Sequence, residues 1–282
     1  MIKKIVYLVS DVRSGSTLLE NIISKSREVV SIGELHHLDS HIHNGKWGVT
    51  WNWNCSCGEN LNDCEFWNDV FVQMGISNFK EIENTEIKYK LNPTLDEIYK
   101  KKSTLKLLDR IYTAIFEVSK VNVIVDTSKN PYQGEAIYKN SQFNVKIIHL
   151  KRDTRAVTIS KNKWNIKFYN RDINLYKVLW NTFSHRIRCN KILKGIDGKD
   201  IYSLNYENFI KKPQNYLDEI ADFVGLKPLT MPEYMMLVND HTIGGTPNRF
   251  EKRKIQIDDK WKATSKNNPL FNFIGLILNK IA

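Results

Sequence analysis

The chain has 282 residues, of which 41% are hydrophobic and 26% charged. That length suits one large domain or two small ones, and the composition reads as globular and soluble rather than disordered. The formal net charge of +11 points to an anionic ligand and leaves nucleic acid, an acidic membrane surface and a phosphorylated cofactor all open.

Residues 5–9 are apolar, but the run ends at Asp11 and Arg13, too short for a signal peptide, and it reads as a buried strand over 5–10. Residues 12–17 follow as a polar loop. Leu18, Leu19, Ile22 and Ile23 then repeat at helical spacing, and residues 29–32 form a second short strand closed by Gly33. From 36 to about 92 the alternation breaks down, which marks an insertion rich in tryptophan and cysteine. Helical spacing returns over 93–119. Residues 121–125 and 145–150 are continuous apolar runs, typical of parallel strands buried on both faces. Residues 201–204 read as a last strand, and 213–225 as a helix stopped by Gly225. The apolar run 270–281 is broken by Asn272, Asn279 and Lys280 and falls below the ~20 residues of a membrane span, so it reads as a packed amphipathic helix. The alternation predicts a three-layer α/β fold around a parallel sheet, with residues 1–282 as one domain. Ligands on such sheets bind at the carboxyl ends of the strands. With no targeting segment, the expectation is a cytoplasmic protein whose four cysteines, Cys55, Cys57, Cys64 and Cys189, are reduced. The oligomeric state is not legible.

The segment Ser10-Asp11-Val12-Arg13-Ser14-Gly15-Ser16-Thr17 lies where a phosphate loop belongs. A loop entering a helix N-terminus offers unpaired N–H groups and the positive end of a dipole. Gly15 lets backbone approach an anion, Ser16 and Thr17 add hydroxyls, and Arg13 adds a fixed positive fork. The nucleoside-triphosphatase pattern G-x-x-x-x-G-K-[ST] is not met, because Ser10 stands at the first glycine and Ser16 at the lysine.

Arg13-Ser14-Gly15-Ser16-Thr17-Leu18-Leu19 resembles the 5′-phosphosulfate loop of the sulfotransferase family. The strand ending in Lys151-Arg152-Asp153, with Ser160 eight residues after the arginine, resembles that family's 3′-phosphate motif. Asn205-Tyr206-Glu207-Asn208-Phe209, with Pro213, Leu217, Ile220 and Gly225, is similar to its late strand and helix. Cys55-Ser56-Cys57-Gly58, then Leu61, Cys64, Phe66 and Trp67, resembles an insert of bacterial members. The matches run in the family's order from about residue 5 to 249. The resemblance implies a P-loop-like fold and transfer of a sulfuryl group from 3′-phosphoadenosine 5′-phosphosulfate (PAPS) to an acceptor hydroxyl, with 3′-phosphoadenosine 5′-phosphate (PAP) as product and no metal. It implies that Arg13, Ser14, Gly15, Ser16, Thr17 and Leu18 hold the 5′ end, and that Arg152 and Ser160 bracket the 3′-phosphate. Tyr206 would contact the nucleotide, and a late basic loop with His241, Gly245 and Arg249 would close over it. This loop departs from the more familiar Arg-Lys-Gly version.

Sulfuryl transfer must take a proton from the acceptor, stabilise the sulfuryl oxygens and neutralise the leaving phosphate. Glu34, at the end of the second strand, is the expected base, and the resemblance points the same way. His36 and His37 are its rivals, since a neutral imidazole suits that role. His36 shares a face with Glu34 if the chain stays extended. Lys129, in Asp126-Thr127-Ser128-Lys129-Asn130-Pro131, is expected against the sulfuryl group, with Arg13 at the leaving phosphate.

Two other readings compete. One is a metal-dependent small-molecule kinase with a degenerate loop, which lacks the loop lysine. The other is a basic nucleic-acid-binding module, for which no motif accompanies the lysine runs such as Lys100–Lys102. The expected partners are therefore a small-molecule or glycan acceptor and no nucleic acid. Cys55, Cys57 and Cys64 with His41 or His43 could hold zinc, but C-x-C differs from common C-x₂-C knuckles, and a packing loop or local disulfide ranks above it. Trp47, Trp51, Trp53 and Trp67 follow the expected base closely enough to wall an acceptor pocket. Because 36–75 carries Lys46 as its one Lys or Arg, besides acidic residues, the expected acceptor is a small apolar or neutral alcohol, such as a sterol or phenol, or a neutral sugar.

Overall fold

The computed structural model describes residues 2–42, 54–76, 102–235, 240–246 and 250–281. Five strands carry the fold: β1 (Lys4–Ser10), β2 (Val29–Gly33), β3 (Val123–Lys129), β4 (Asn144–Lys151) and β5 (Ile201–Asn205). All neighbouring pairs are parallel, in the order β2-β3-β1-β4-β5. Alternate residues of β1 serve opposite faces. Ile5, Tyr7 and Val9 enter one buried cluster and Val6 and Leu8 another. Each such side chain contributes roughly 1.5–3 kcal/mol relative to exposure. This two-faced burial is why the strands read as continuous apolar runs.

Helices cover both faces. The first cluster lies under α3 (Glu65–Gln73), α4 (Lys102–Ser119) and α5 (Pro131–Asn140), and the second under α1 (Ser16–Ile23) and α9 (Pro213–Val224). The remaining helices are α2 (Leu38–Ile42), α6 (Thr154–Tyr169), α7 (Leu175–Leu193), α8 (Tyr206–Lys211), α10 (Lys260–Lys266) and α11 (Pro269–Ile281), and a short β6–β7 ribbon joins Tyr234–Met235 to Arg253–Lys254. Local signals place the ends. Asn130 caps α5 ahead of Pro131, and Gly225 stops α9 in the left-handed region at φ 76°.

The three-layer parallel α/β expectation holds, with two adjustments. First, β3 runs past 125 to Lys129, because its polar tail finds buried partners. Tyr112 donates to Asp126 at 2.7 Å and Thr127 donates to Glu20 at 3.3 Å. Second, Trp67 is fully buried in the first cluster beside Cys55 and Cys64, so it is core and not a pocket wall. Trp47, Trp51 and Trp53 lie outside the described residues, as do His43 and Arg249. As expected of a packed amphipathic helix, α11 buries Phe271, Gly275 and Leu278 while Leu270, Phe273 and Ile281 stay exposed. Among the described residues, no helix is long and apolar enough to cross a membrane.

Candidate active site

The carboxyl ends of β1, β2, β3 and β4 open into one cavity of about 1070 Å³. The loop after β1 forms its floor. Arg13 and Gly15 both adopt positive φ, 71° and 100°, and the turn they make hands the chain to α1. The first N–H groups of that helix have no intrahelical acceptor and face outward. The Ser14 hydroxyl instead donates to the Asp11 carbonyl at 2.7 Å and is buried, so it shapes the loop rather than lining the cavity. Asp11 anchors the loop from below through Lys161 and His185, both at 3.2 Å. Burial pushes the Asp11 carboxyl up, but the hydrogen bond from His185 and the charges of Lys161 and Arg186 outweigh it and leave its pKa below the ordinary value.

Cations converge above this floor. Arg13 Nε donates to Ser160 Oγ at 3.1 Å, and its guanidinium lies 4.8 Å from the Trp164 ring. Arg152, just past the end of β4, donates to the Arg13 carbonyl and to Asp258, each at 3.1 Å. Its guanidinium stacks 4.6 Å from the Tyr206 ring. That ring also covers the loop, since a Cβ on Gly15 would lie 2.5 Å from Tyr206. Arg253 lines the same cavity from β7. The Nε atoms of Arg152 and Arg253 are buried with no hydrogen-bond partner among the described residues. Orphaned cationic donors of this kind are costly unless an anion completes them. Leu18, Ser16 and Thr17 line the cavity beside them.

The second half of the site comes from β2 and β3. Gly33, at φ 72°, turns the chain so that Glu34 points to the cavity. Lys129, at φ 67°, comes off a register shift in β3, and its ammonium lies 2.5 Å from Glu34 Oε1. Positive φ in a non-glycine residue costs roughly 1–2 kcal/mol, and such strain clusters at functional sites. Gly245 N–H also donates to Glu34 Oε1, at 3.0 Å. Glu34 Oε2 faces His37 Nε2 at 3.5 Å and His36 Nε2 at 3.8 Å. Burial raises the Glu34 carboxyl, yet Lys129, the His37 hydrogen bond and the two imidazoles hold it well below the usual carboxylate range. Burial, then His37 and Lys129, push His36 well below the ordinary imidazole value, so it is neutral. Glu34, His36 and His37 come together like a ligand set, but the Lys129 charge already occupies the carboxylate and opposes a cation there.

The geometry revises several sequence expectations. β3 lies between β1 and β2, so Glu34 neighbours Lys129 directly. The chain after Glu34 is not extended but turns through a short 3₁₀ segment, Leu35–His37, which brings both histidines back to the carboxylate. His241 does not line the cavity: its ring stacks on Phe66 at 4.6 Å, among the cysteines of the insertion. Gly245 lines the cavity, with its N–H on Glu34. Trp164 and Asp258 were not anticipated, because their roles rest on contacts across more than a hundred residues of sequence. A phosphate loop beside a buried carboxylate–lysine pair, with arginines opposite whose Nε donors have no partner among the described residues, is suited to transferring an anionic group without a loop lysine.

A profile described as Sulfotransferase family matches residues 6–230. The chain belongs to the sulfotransferase family. Two solved sulfotransferase domains share its fold. The sulfotransferase domain from the curacin biosynthetic pathway is 19% identical, with a TM-score of 0.56, over 94% of this chain and 91% of its own. The sulfotransferase domain from the Synechococcus PCC 7002 olefin synthase is also 19% identical, with a TM-score of 0.50, over 80% of this chain and 74% of its own. At such identities the likeness is one of fold. No curated protein sequence matches the chain. The family membership makes this sulfotransferase an enzyme and bears out the sequence resemblance.

Proposed function

We propose that this sulfotransferase takes its sulfuryl group from PAPS and places it on the hydroxyl of a small apolar or neutral acceptor. One observation carries the reading: a phosphate loop, the arginines Arg13, Arg152 and Arg253, and an ionised Glu34 paired to Lys129 all face one cavity. The donor set fits a bisphosphorylated nucleotide. Arg13 with the N–H groups and hydroxyls of Ser16 and Thr17 suits the 5′ end, and Arg152 with Ser160 suits the 3′-phosphate. Tyr206 offers an aromatic face between the two. PAPS supplies the sulfur electrophile and a phosphate leaving group.

Glu34 Oε1 is held by Lys129 and Gly245, and Oε2, which faces His37 at 3.5 Å, is the oxygen assigned to accept the acceptor's proton. Lys129, already beside that carboxylate, is placed to offset charge on the sulfuryl oxygens, and Arg13 to offset charge on the departing phosphate. An acceptor O–S bond forms as the bridging S–O bond to phosphate breaks, and the proton ends on Glu34. His36, being neutral, assists by polarity rather than charge.

The acceptor class rests on the cavity walls, where Trp164, Tyr169, Ile173, Val178 and Met235 contribute apolar surface. Arg171 and Lys177 on the same walls make an anionic acceptor the second reading. Labelled donor incubated with sterols, phenols, neutral sugars and sulfated glycans separates the two. Label on the first three classes supports the proposal; label confined to sulfated glycans overturns its acceptor half.

A further inference from the structure

Three cysteines of the insertion meet a histidine from near the other end of the chain. Cys57 Sγ lies 3.7 Å from Cys64 Sγ. His241 Nδ1 lies 3.3 Å from Cys64 Sγ and 3.8 Å from Cys55 Sγ. All four donor atoms fall within 4.8 Å of one another. A tetrahedral zinc ion, with sulfur at ~2.3 Å and imidazole nitrogen at ~2.0 Å, sets ligand-to-ligand edges of about 3.5–3.8 Å. The cluster already has close to that size. We propose that Cys55, Cys57, Cys64 and His241 form a structural zinc site, and that it clamps the insertion to the segment that braces Glu34.

The surroundings hold the four donors in place without an ion. Cys55 N–H donates to the Glu59 carbonyl at 2.8 Å, and Gly58 turns at φ 101°, so the chain doubles back and presents Cys55 and Cys57 together. Ser56 ties this turn to the late segment. Its N–H donates to the Thr242 carbonyl at 3.1 Å, and its hydroxyl accepts from Thr242 N–H at 2.8 Å. Trp67 Nε1 donates to the His241 carbonyl at 2.9 Å, and Phe66 stacks on the imidazole with the planes 12° apart. Such outer contacts orient first ligands in known zinc sites. Cys55 and Cys64 are buried and Cys57 is exposed, which leaves a path for the ion. A disulfide between Cys57 and Cys64 would use two of the four donors and leave Cys55 and His241 converging for no purpose. Four coordinating protein groups close the site, as in structural rather than catalytic zinc. Binding releases the three thiol protons, and the filled site carries one net negative charge from three thiolates and a dication.

The clamp bears on the catalytic half of the cavity. Ile243 N–H donates to the Ile32 carbonyl at 3.0 Å, and the Ile243 carbonyl accepts from Glu34 N–H at 2.7 Å. Two residues later Gly245 donates to the Glu34 carboxylate. Residues 241–245 therefore run from the proposed ion to the proposed base. This assignment departs from the metal-free expectation but does not depend on the transfer reaction, since it rests on ligand geometry alone.

Metal content settles it. Protein purified without chelators should carry about one zinc per chain by elemental analysis. Exchange with Co²⁺ should produce intense tetrahedral visible bands and a near-ultraviolet thiolate-to-cobalt band. His241→Ala should weaken zinc retention at least as much as the ~10–100-fold caused by outer-shell changes elsewhere. Cys189→Ser, outside the cluster, should keep the full complement. If His241→Ala fails to fold, the cobalt spectrum of the unmutated protein decides. Substoichiometric zinc without thiolate-to-cobalt absorption, or a Cys57–Cys64 disulfide in the intact mass of the native protein, would overturn the proposal.

Discussion

Lys129 Nζ lies 2.5 Å from Glu34 Oε1, and the two residues leave the ends of neighbouring strands. Both are nearly excluded from water. Despite its burial, Lys129 and the neighbouring imidazoles hold the Glu34 carboxyl well below the usual carboxylate range, so Glu34 is an anion at neutral pH. Glu34→Gln keeps the shape and removes the base. Turnover should fall by roughly 10²–10⁴-fold while donor affinity holds. Steady-state rates beside calorimetric donor affinities check both halves. If Glu34→Gln keeps its turnover while His36→Ala loses it, the base is the imidazole.

Arg152 bridges the loop carbonyl of Arg13, the Tyr206 ring and Asp258. Arg152→Ala should cost PAP a charge-assisted hydrogen bond worth roughly 1.5–3 kcal/mol, or about tenfold to over a hundredfold in affinity. Calorimetry reads this directly. Unchanged affinity would move the 3′-phosphate elsewhere.

Asp258 sits on Arg152 with half of its side chain exposed, and it is among the charges acting on Arg13. A nucleotide phosphate would compete for the same cations. Asp258→Asn should therefore tighten PAP binding by about two- to fivefold, the scale of a half-exposed ion pair. Weaker binding in this variant would instead make Asp258 a support for the bound nucleotide.

Glu20 is buried beneath the site and accepts from Ser31 at 2.5 Å and from Thr127 at 3.3 Å. Burial is the main cause that raises its pKa to about 7. The folded state thus binds this proton more tightly than the unfolded chain. Its stabilising effect is complete below the ordinary carboxyl value and is lost as pH rises toward 7. Glu20→Gln should remove that loss, worth roughly 3 kcal/mol for a carboxyl raised to about 7. Thermal melts at pH 5 and pH 8 test it: the variant should gain on the native protein at pH 8 and not at pH 5.

Much of this architecture could be read from residue order. The apolar runs behind β1, β3 and β4 announced strands buried on both faces, and Ser10–Thr17 announced an anion loop between a strand and a helix. The neighbours across the fold could not be read. No local pattern states that β3 separates β1 from β2, and so none places Lys129 on Glu34. The helical turn that folds His37 back depends on that same neighbourhood. His241 looked like part of a nucleotide loop because its partners, Cys55 and Cys64, lie 186 and 177 residues away. Trp67 looked like a pocket wall because tryptophan suits a core and a binding surface equally well.

The proposed role of the cationic cavity built on this loop is to bind a bisphosphorylated nucleotide. Titration calorimetry with PAP in buffer free of added divalent ions, run beside Mg-ATP and a short RNA, tests it most directly. PAP should bind in the micromolar range and more weakly as salt rises, with no comparable heat from Mg-ATP or RNA. Binding of Mg-ATP or RNA with no response to PAP would contradict it.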